Sequence, residues 1–313
     1  MDDIETIAEN NRFNINPNVE GLEEFVDELT RCEDEDLETV AKVLRRKYQI
    51  NPSKTQINYV YKKKFANRKI SPKLRRWMIK KQMRSNSGVL VVTIVLAPDR
   101  FSCKYDCAYC PQETDLSGNP TQPRSYLSNE PAMLRALESN FDIRGQFLSR
   151  IGNYKDTGNI AEGQISKIEV IFSGGTWESY PLTYREQVIR ELYWAANTVE
   201  EARDSLTLED EIHMNETTQY RIIGFTLETR PDNITPETIQ QYRRWGVTRI
   251  QIGVQHYDDE ILKKVNRKCY TKDTIHAIRL LKQVGLKVVV HLMPDLPGSS
   301  PDKDKWMFDE AIN

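Results

Sequence analysis

Three of the chain's five cysteines, Cys103, Cys107 and Cys110, fall within the stretch CKYDCAYC. Thiolates so close together have three common uses: a disulfide staple, a zinc site or an iron–sulfur site. An odd cysteine count with uneven spacing argues against a secreted disulfide framework and for a reducing compartment, expected to be the cytoplasm. A structural zinc asks for four ligands, often in two Cys-x2-Cys pairs. Here only Cys107 and Cys110 form such a pair, and no His follows nearby. A 4Fe–4S cubane accepts thiolates, and with three of them one iron corner stays open to a substrate or cofactor. Tyr109, immediately before the third cysteine, is expected to lie over the cluster or over what it binds.

The hydrophobic pattern names the elements that must position this loop. GVLVVTIVLAP reads as a buried strand directly before it, and four more apolar strands follow: SKIEVIFSGGT, YRIIGFTLETRPD, VTRIQIGVQ and KVVVHLMPDLPG. Helical stretches separate them, among them NEPAMLRALESNFDIRGQFLSRI, PLTYREQVIRELYWAANTVEEARDSL and TPETIQQYRRWG, the last stopped by Gly246. Nearly uniform apolar strands alternating with helices indicate an α/β fold with a covered parallel sheet, closed as a barrel or doubly wound. Ligands of such sheets sit at the C-terminal strand ends. The unusual residues occupy those ends: the three cysteines, Gly174-Gly175-Thr176, Glu228-Thr229-Arg230, Gln255, and Met293 to Leu296. The two glycines allow backbone groups to approach a polar ligand closely.

Residues 1–86 read differently and form an expected small helical domain, with 87–313 as the β/α domain. Helical spacing of Leu22, Phe25, Val26 and Leu29, and of Leu37, Val40, Val43 and Leu44, marks two helices. Ser53 and Ser71 are expected N-caps of a third and fourth, with Pro72 in the first turn of the fourth. The net charge of −2 conceals an asymmetry. Residues 62–84 contain no acid but carry Lys62, Lys63, Lys64, Arg68, Lys69, Lys73, Arg75, Arg76, Lys80, Lys81 and Arg84, with Tyr59, Tyr61, Phe65 and Trp77 nearby. Cations neutralise phosphates and aromatic rings stack on unpaired bases, so this segment is an expected RNA-binding surface. The longest apolar run, Val89 to Ala97, is too short to span a bilayer, and the acidic N-terminus lacks a secretory or mitochondrial pattern, so no membrane partner is expected.

The Cys-x3-Cys-x2-Cys spacing, with an aromatic before the last cysteine and a strand before the first, resembles the radical SAM superfamily. The resemblance implies a partial TIM-like (β/α)6 barrel. It also implies S-adenosylmethionine bound at the open iron and split by one electron into methionine and a 5′-deoxyadenosyl radical. Its motifs give Gly174, Gly175 and Thr176 the methionine amino group. Thr176 stands where an acid is usual, so the backbone is expected to do the binding. Glu228 is matched to the ribose hydroxyls, Arg230 to the carboxylate, Gln255 to either, and Met293 to Leu296 to the adenine.

Several stretches further resemble the catalytic subunit of Elongator: RSNSGVLVVTIVLAP, CAYCP, TQPRSYLSNEPAMLRA, KIEVIFSGGT, RIIGFTLETRPD, GVTRIQIGVQ and LKVVVHLMPDLPG, collinear over residues 84–298, with Asn215-Glu216 and the Asn266-Arg267 pair between them. That family carboxymethylates the wobble uridine of tRNA at C5 with acetyl-CoA as carbon source. The resemblance implies tRNA as partner, an electron donor, and a contact between acetyl-CoA and Lys167 at the entry of the second strand. The sixth barrel strand and the acetyltransferase domain of that family are absent from residues 1–313, so a separate acetyltransferase or Elongator-like subunits are expected partners. Two other readings fit the same residues: radical chemistry on another substrate, and a non-catalytic tRNA-binding scaffold with a zinc-bound cysteine loop.

Overall fold

The computed structural model describes residues 19–32, 36–79, 87–160 and 163–312. The chain divides into two compact units. One runs to Leu90 and also takes in Leu148–Ser166; the other comprises Val91–Phe147 and Lys167 onward. The boundary expected at 86/87 therefore misses Leu148–Ser166, a helix end and loop that the strand–helix rhythm had assigned to the β/α domain.

The first unit contains α1 (Leu22–Leu29), α2 (Leu37–Tyr48), α3 (Lys54–Lys64) and α4 (Pro72–Met78). Their starts are set by side chains that satisfy orphan backbone donors. Asp36 accepts from Glu38 N, Ser53 and Gln56 form a reciprocal capping box, and Ser71 accepts from Leu74 N ahead of Pro72. The apolar stripes meet in one core of Leu22, Phe25, Val26, Leu29, Leu37, Ala41, Leu44, Ile57, Val60, Leu74 and Met78. Fully burying each large aliphatic side chain contributes about 1.5–3 kcal/mol. Tyr59, Tyr61, Phe65 and Trp77 pack against this core. Tyr61 Oη donates to Arg68 O, and Trp77 Nε1 donates to Glu38. The rings expected to stack on bases thus serve the helical core, because the helix turns their positions inward.

The second unit is built on a sheet whose strands lie in chain order: β1 (Val89–Val95), β2 (Ser166–Ser173), β3 (Tyr220–Thr229), β4 (Arg249–Gln255) and β5 (Lys287–Leu292). The β3/β4 and β4/β5 pairs are parallel, with Glu228 opposite Gln251 and Gly253 opposite His291. A doubly wound sheet reverses its strand order at a switch point; sequential order gives the barrel-type winding instead. Ile168, Val170 and Phe172 on one face of β2 are buried, as are Ile250, Ile252 and Val254 on β4. The alternate residues, including Glu228 and Gln255, are left for the other face.

The helices differ from expectation in two places. The stretch 129–151 is two helices, α5 (Pro131–Glu138) and α6 (Ile143–Asp156), separated by Asn140 and Phe141 at φ 48° and 59°. Phe141 N closes the first onto Ala136 O at 2.7 Å, a left-handed C-terminal stop. The stretch from Leu182 ends as α7 at Asn197 and resumes as α8 (Leu208–Asn215). The fully buried Glu211 of α8 takes Arg203 in a two-point ion pair at 2.6 and 2.7 Å, which draws the intervening chain away from a helical path. The remaining helices are α9 (Pro236–Arg244), α10 (Asp259–Lys264), α11 (Thr271–Gln283) and α12 (Pro301–Ile312). Gly246 ends α9 at φ 77°, where a Cβ would lie 2.6 Å from Tyr193 Oη. Among the described residues no helix is long and apolar enough to cross a membrane.

Candidate active site

One cavity opens at the C-terminal strand ends of the second unit. Cys103, Cys107 and Cys110 line it together with Tyr109, Gly175, Thr176, Glu228, Arg230 and Gln255. Residues separated by up to 166 positions in the chain, Phe101 to Arg267, thus share one cavity.

The cysteine loop is held from several sides. Ser102 N donates to Ser179 O at 3.0 Å, Ala108 N to Val265 O at 3.0 Å, and Asn266 Nδ2 to Asp106 O at 2.7 Å. Arg124 adds a bond to Tyr105 O at 3.2 Å and an ion pair with Asp106 at 2.7 Å. Cys107 is buried; Cys103 and Cys110 are half-buried, and Cys110 Sγ stands 3.3 Å from Ser125 Oγ. Tyr109 packs with Ile261, Val265, Leu296 and Met293, and its buried hydroxyl lies toward the Cys107 sulfur. Burial pushes the Tyr109 phenol well above its ordinary pKa. Met293 therefore stands with the apolar residues behind Tyr109 and is not among those lining the cavity.

At the end of β2 the two glycines are required by space. A Cβ on Gly174 would lie 2.8 Å from Tyr180 Oη, and one on Gly175 would lie 3.1 Å from Arg124 O at a left-handed φ of 76°. Thr176 opens the short turn in which Trp177 is buried against Phe172 and Trp245, a packing role. At the end of β3, Glu228 accepts from Tyr126 Oη at 2.5 Å and faces His291 Nδ1 at 3.8 Å. Burial raises the Glu228 carboxyl above its ordinary range, while Tyr126 and His291 pull it back in part. The β4/β5 register slips between Gly253 and Gln255, leaving Gln255 at φ 72° with its carbonyl held by Met293 N at 2.8 Å. A strained backbone at the cavity is what pre-organised sites commonly show.

Arg230 is 2% exposed and already engaged. Its guanidinium forks onto Asp232 at 2.9 and 3.1 Å, donates to Arg267 O at 2.9 Å and lies 3.7 Å over the Tyr105 ring. This is the local ion pair rather than a side chain free to grip a carboxylate. Lys167 is exposed at the start of β2, six residues before Ser173, so at ~3.3 Å per residue it lies ~20 Å along the strand from the cavity. The structure does not bring it to the rim.

Several lining residues carry no role from the sequence, among them Arg124, Ser125 and Arg267. The first two lie in TQPRSYLSNEPAMLRA and the third in the Asn266-Arg267 pair, so a signal was present without a role attached to it. Glu178 gave none. It is half-buried, its carboxylate turned inward behind the rim, where Thr229 Oγ1 and Tyr242 Oη donate to it and Asn233 Nδ2 donates at 3.2 Å. Burial raises its pKa above the ordinary value near 4.5, against the pull of those hydroxyls. The folded chain then holds a proton that the unfolded chain has released, so stability declines as pH rises from the ordinary value through the raised one. Glu178→Gln, which cannot ionise, is expected to lack that decline when urea midpoints are followed from acid to alkaline pH. An identical slope in both proteins would contradict a raised Glu178.

The basic segment divides. Lys62, Lys63, Lys64, Lys69, Lys73, Arg75 and Arg76 are exposed, whereas Lys80, Lys81 and Arg84 lie outside the described residues. Arg68 is half-buried, ion-paired with Asp27 at 2.8 Å and bonded to Thr30 Oγ1 at 2.6 Å, so it ties α1 to the turn after α3. Lys64 pairs with Glu23 at 3.4 Å, and Lys62 Nζ reaches Lys155 O.

The donor set at the cavity is sulfur from three residues, which suits an iron–sulfur cluster. Among the described residues no three His, Cys, Asp or Glu side chains converge tightly enough to hold a single metal ion. All three thiols line the same cavity.

A family profile described as Radical SAM superfamily matches residues 101–309. The chain is 38% identical over 234 residues to the tRNA uridine(34) acetyltransferase of Methanocaldococcus infernus, covering 74% of this chain and 42% of that protein. It is 29% identical over 296 residues to the Elongator complex protein 3 of Homo sapiens, covering 92% of this chain and 51% of that one. The solved structure of Methanocaldococcus infernus Elp3 with an N-terminal deletion superposes with a TM-score of 0.54 at 33% identity, over 71% of this chain and 42% of that chain. The chain spans about half the length of the curated relatives it matches.

Proposed function

The chain belongs to the radical SAM superfamily, and from that premise we propose that it modifies the wobble uridine of tRNA at C5, by carboxymethylation with acetyl-CoA as the carbon source. The observation that carries this reading is the meeting of Cys103, Cys107 and Cys110 with Gly175, Glu228 and Gln255 on one cavity. The names of the two curated relatives, a tRNA uridine(34) acetyltransferase and an Elongator complex protein 3, support the substrate. When bound to the three cysteines, a 4Fe–4S cluster supplies the electron that splits S-adenosylmethionine into methionine and a 5′-deoxyadenosyl radical.

The chain's own residues do the holding. The Gly174-Gly175 turn offers backbone groups to the methionine end, since a side chain at either position would strike Tyr180 or Arg124. Glu228, its carboxylate steered by Tyr126, and Gln255, raised on its left-handed backbone, take the ribose hydroxyls. Tyr109 closes the side of the cavity with an apolar body and keeps water from the cysteines. Arg230 serves the wall through Asp232, and Lys167 takes no part at this rim. The exposed lysines and arginines of α3, α4 and the turn between them bind the tRNA backbone. An outside electron donor completes the reaction's needs.

Single-turnover formation of 5′-deoxyadenosine by the anaerobically reconstituted protein tests the reading. The nucleoside is expected to form from S-adenosylmethionine and to increase when tRNA is added. A brown, cluster-loaded protein indifferent to tRNA would redirect the radical chemistry to another substrate. A colourless protein carrying stoichiometric zinc would overturn the proposal.

A further inference from the structure

Cys107 has surroundings that the cofactor-binding roles do not explain. Arg230 Nη1 and Arg267 Nη1 both point N–H groups at its sulfur, each at 3.9 Å. The two guanidiniums come from different elements, the end of β3 and the loop between α10 and α11. Both residues are nearly sealed from water, at 2% and 6% exposure. Each is fixed by further bonds: Arg230 by Asp232 and the Arg267 carbonyl, Arg267 by Gly253 O, to which its Nη2 donates at 2.5 Å. Cys110 has the Ser125 hydroxyl at 3.3 Å, and the Arg124 guanidinium acts on Cys110 and Cys103 across space without bonding either sulfur.

The two arginines differ in their direct partners, although Asp232 and Glu228 both act on Arg267 across space. Asp232 answers Arg230, but among the described residues no carboxylate lies within ion-pair distance of Arg267. Its Nε is also buried without a hydrogen-bond partner. Burying a cation without a directly bonded anion is costly, so negative charge close to it is favoured. The group within its reach is the Cys107 sulfur, which would carry negative charge as a thiolate ligand of a bound cluster.

Resting on the reading of the cavity as a 4Fe–4S site, we propose that Arg267, together with Arg230, sets the electron affinity of the cluster through Cys107. Donated N–H bonds and positive charge at a ligand sulfur stabilise the reduced form more than the oxidised one. One-electron reduction adds a single negative charge, its electron coming from a low-potential external reductant. The two arginines are positioning residues in this role; they act on the sulfur and touch no substrate. Their effect is a set point, since a cluster that is easier to reduce is also a weaker donor to the sulfonium.

The test is the midpoint potential of the reconstituted full chain, poised with dithionite and read by electron paramagnetic resonance without S-adenosylmethionine. Arg267→Met, loaded with as much iron as the wild type, is expected to favour reduction about tenfold less, a shift of about 59 mV to more negative potential for a one-electron couple. Arg267→Lys keeps the charge but loses the fork, and is expected to shift in the same direction by less. Asp232→Asn removes the counter-charge of Arg230 and is expected to shift the potential the other way, which disturbed packing would not do. If Arg267→Met fails to load, Arg267→Lys decides alone. Loaded variants with the wild-type potential would overturn this inference and leave the proposed function standing. A wild-type chain that takes up no cluster would overturn both.

Discussion

Cys110→Ala is expected to reduce 5′-deoxyadenosine formation to background and to lower the iron content of the reconstituted protein sharply, while the fold persists. Cys110 is half-buried at the cavity wall, with the Ser125 hydroxyl and the Pro111 carbonyl as polar neighbours, so the lost thiol leaves no buried charge and no broken backbone bond. The loss should therefore be one of chemistry rather than of folding. Two remaining thiolates cannot hold three iron corners, and an incompletely held cubane is not retained. Cys32→Ala supplies the control. That thiol belongs to the helical unit and packs beside the core of α1 and α2, so its removal should leave iron content and turnover unchanged. Far-ultraviolet circular dichroism and iron assay on the two variants, alongside product analysis, separate the outcomes. Wild-type turnover by Cys110→Ala would remove the basis for a cluster at these residues.

The combined variant Lys63→Ala, Lys69→Ala, Lys73→Ala and Arg75→Ala should weaken tRNA binding about ten- to a hundredfold at moderate salt and flatten its salt dependence. All four side chains are exposed, on α3, α4 and the turn between them. Each phosphate contact contributes ~0.7–0.9 to the slope of log affinity against log salt, so losing four lowers that slope by roughly 3. Arg68 is deliberately left in place. It spends its guanidinium on Asp27 and Thr30, and its loss would loosen the helical unit rather than report on RNA. Filter binding or fluorescence anisotropy over a salt series gives both quantities. An unchanged affinity and slope would mean that this segment is only a solvated surface.

The contrast between Arg68 and Lys69 shows how far composition reaches. An acid-free run of cations is visible in the chain, but which cations remain available depends on acids brought alongside by other helices, here Asp27 from α1. Arg230 followed the same course. ETRPD marks it as a site residue, and it does line the cavity, yet Asp232, two positions on, and the ring of Tyr105 occupy its guanidinium. The helices of the first unit were legible because a cap is local chemistry: Ser53 with Gln56 and Ser71 with Leu74 act within three residues. The breaks at Asn140 and after Asn197 were not, since the second is enforced by a buried Arg203–Glu211 pair that helical periodicity does not register.

The sequence by itself determined the five strands, their alternation with helices, the cysteine spacing and the glycine turn, because each is a property of neighbours along the chain. Tertiary structure alone decided that the strands run in chain order, as a barrel does, and that Lys167 stands at the far end of its strand from the cysteines. It alone set Glu178 beneath Thr229, and two guanidiniums against the sulfur of Cys107. Those facts join residues 51 to 160 positions apart. Burial and charge between such residues come into being only when the sheet closes water out, so no local pattern announces them.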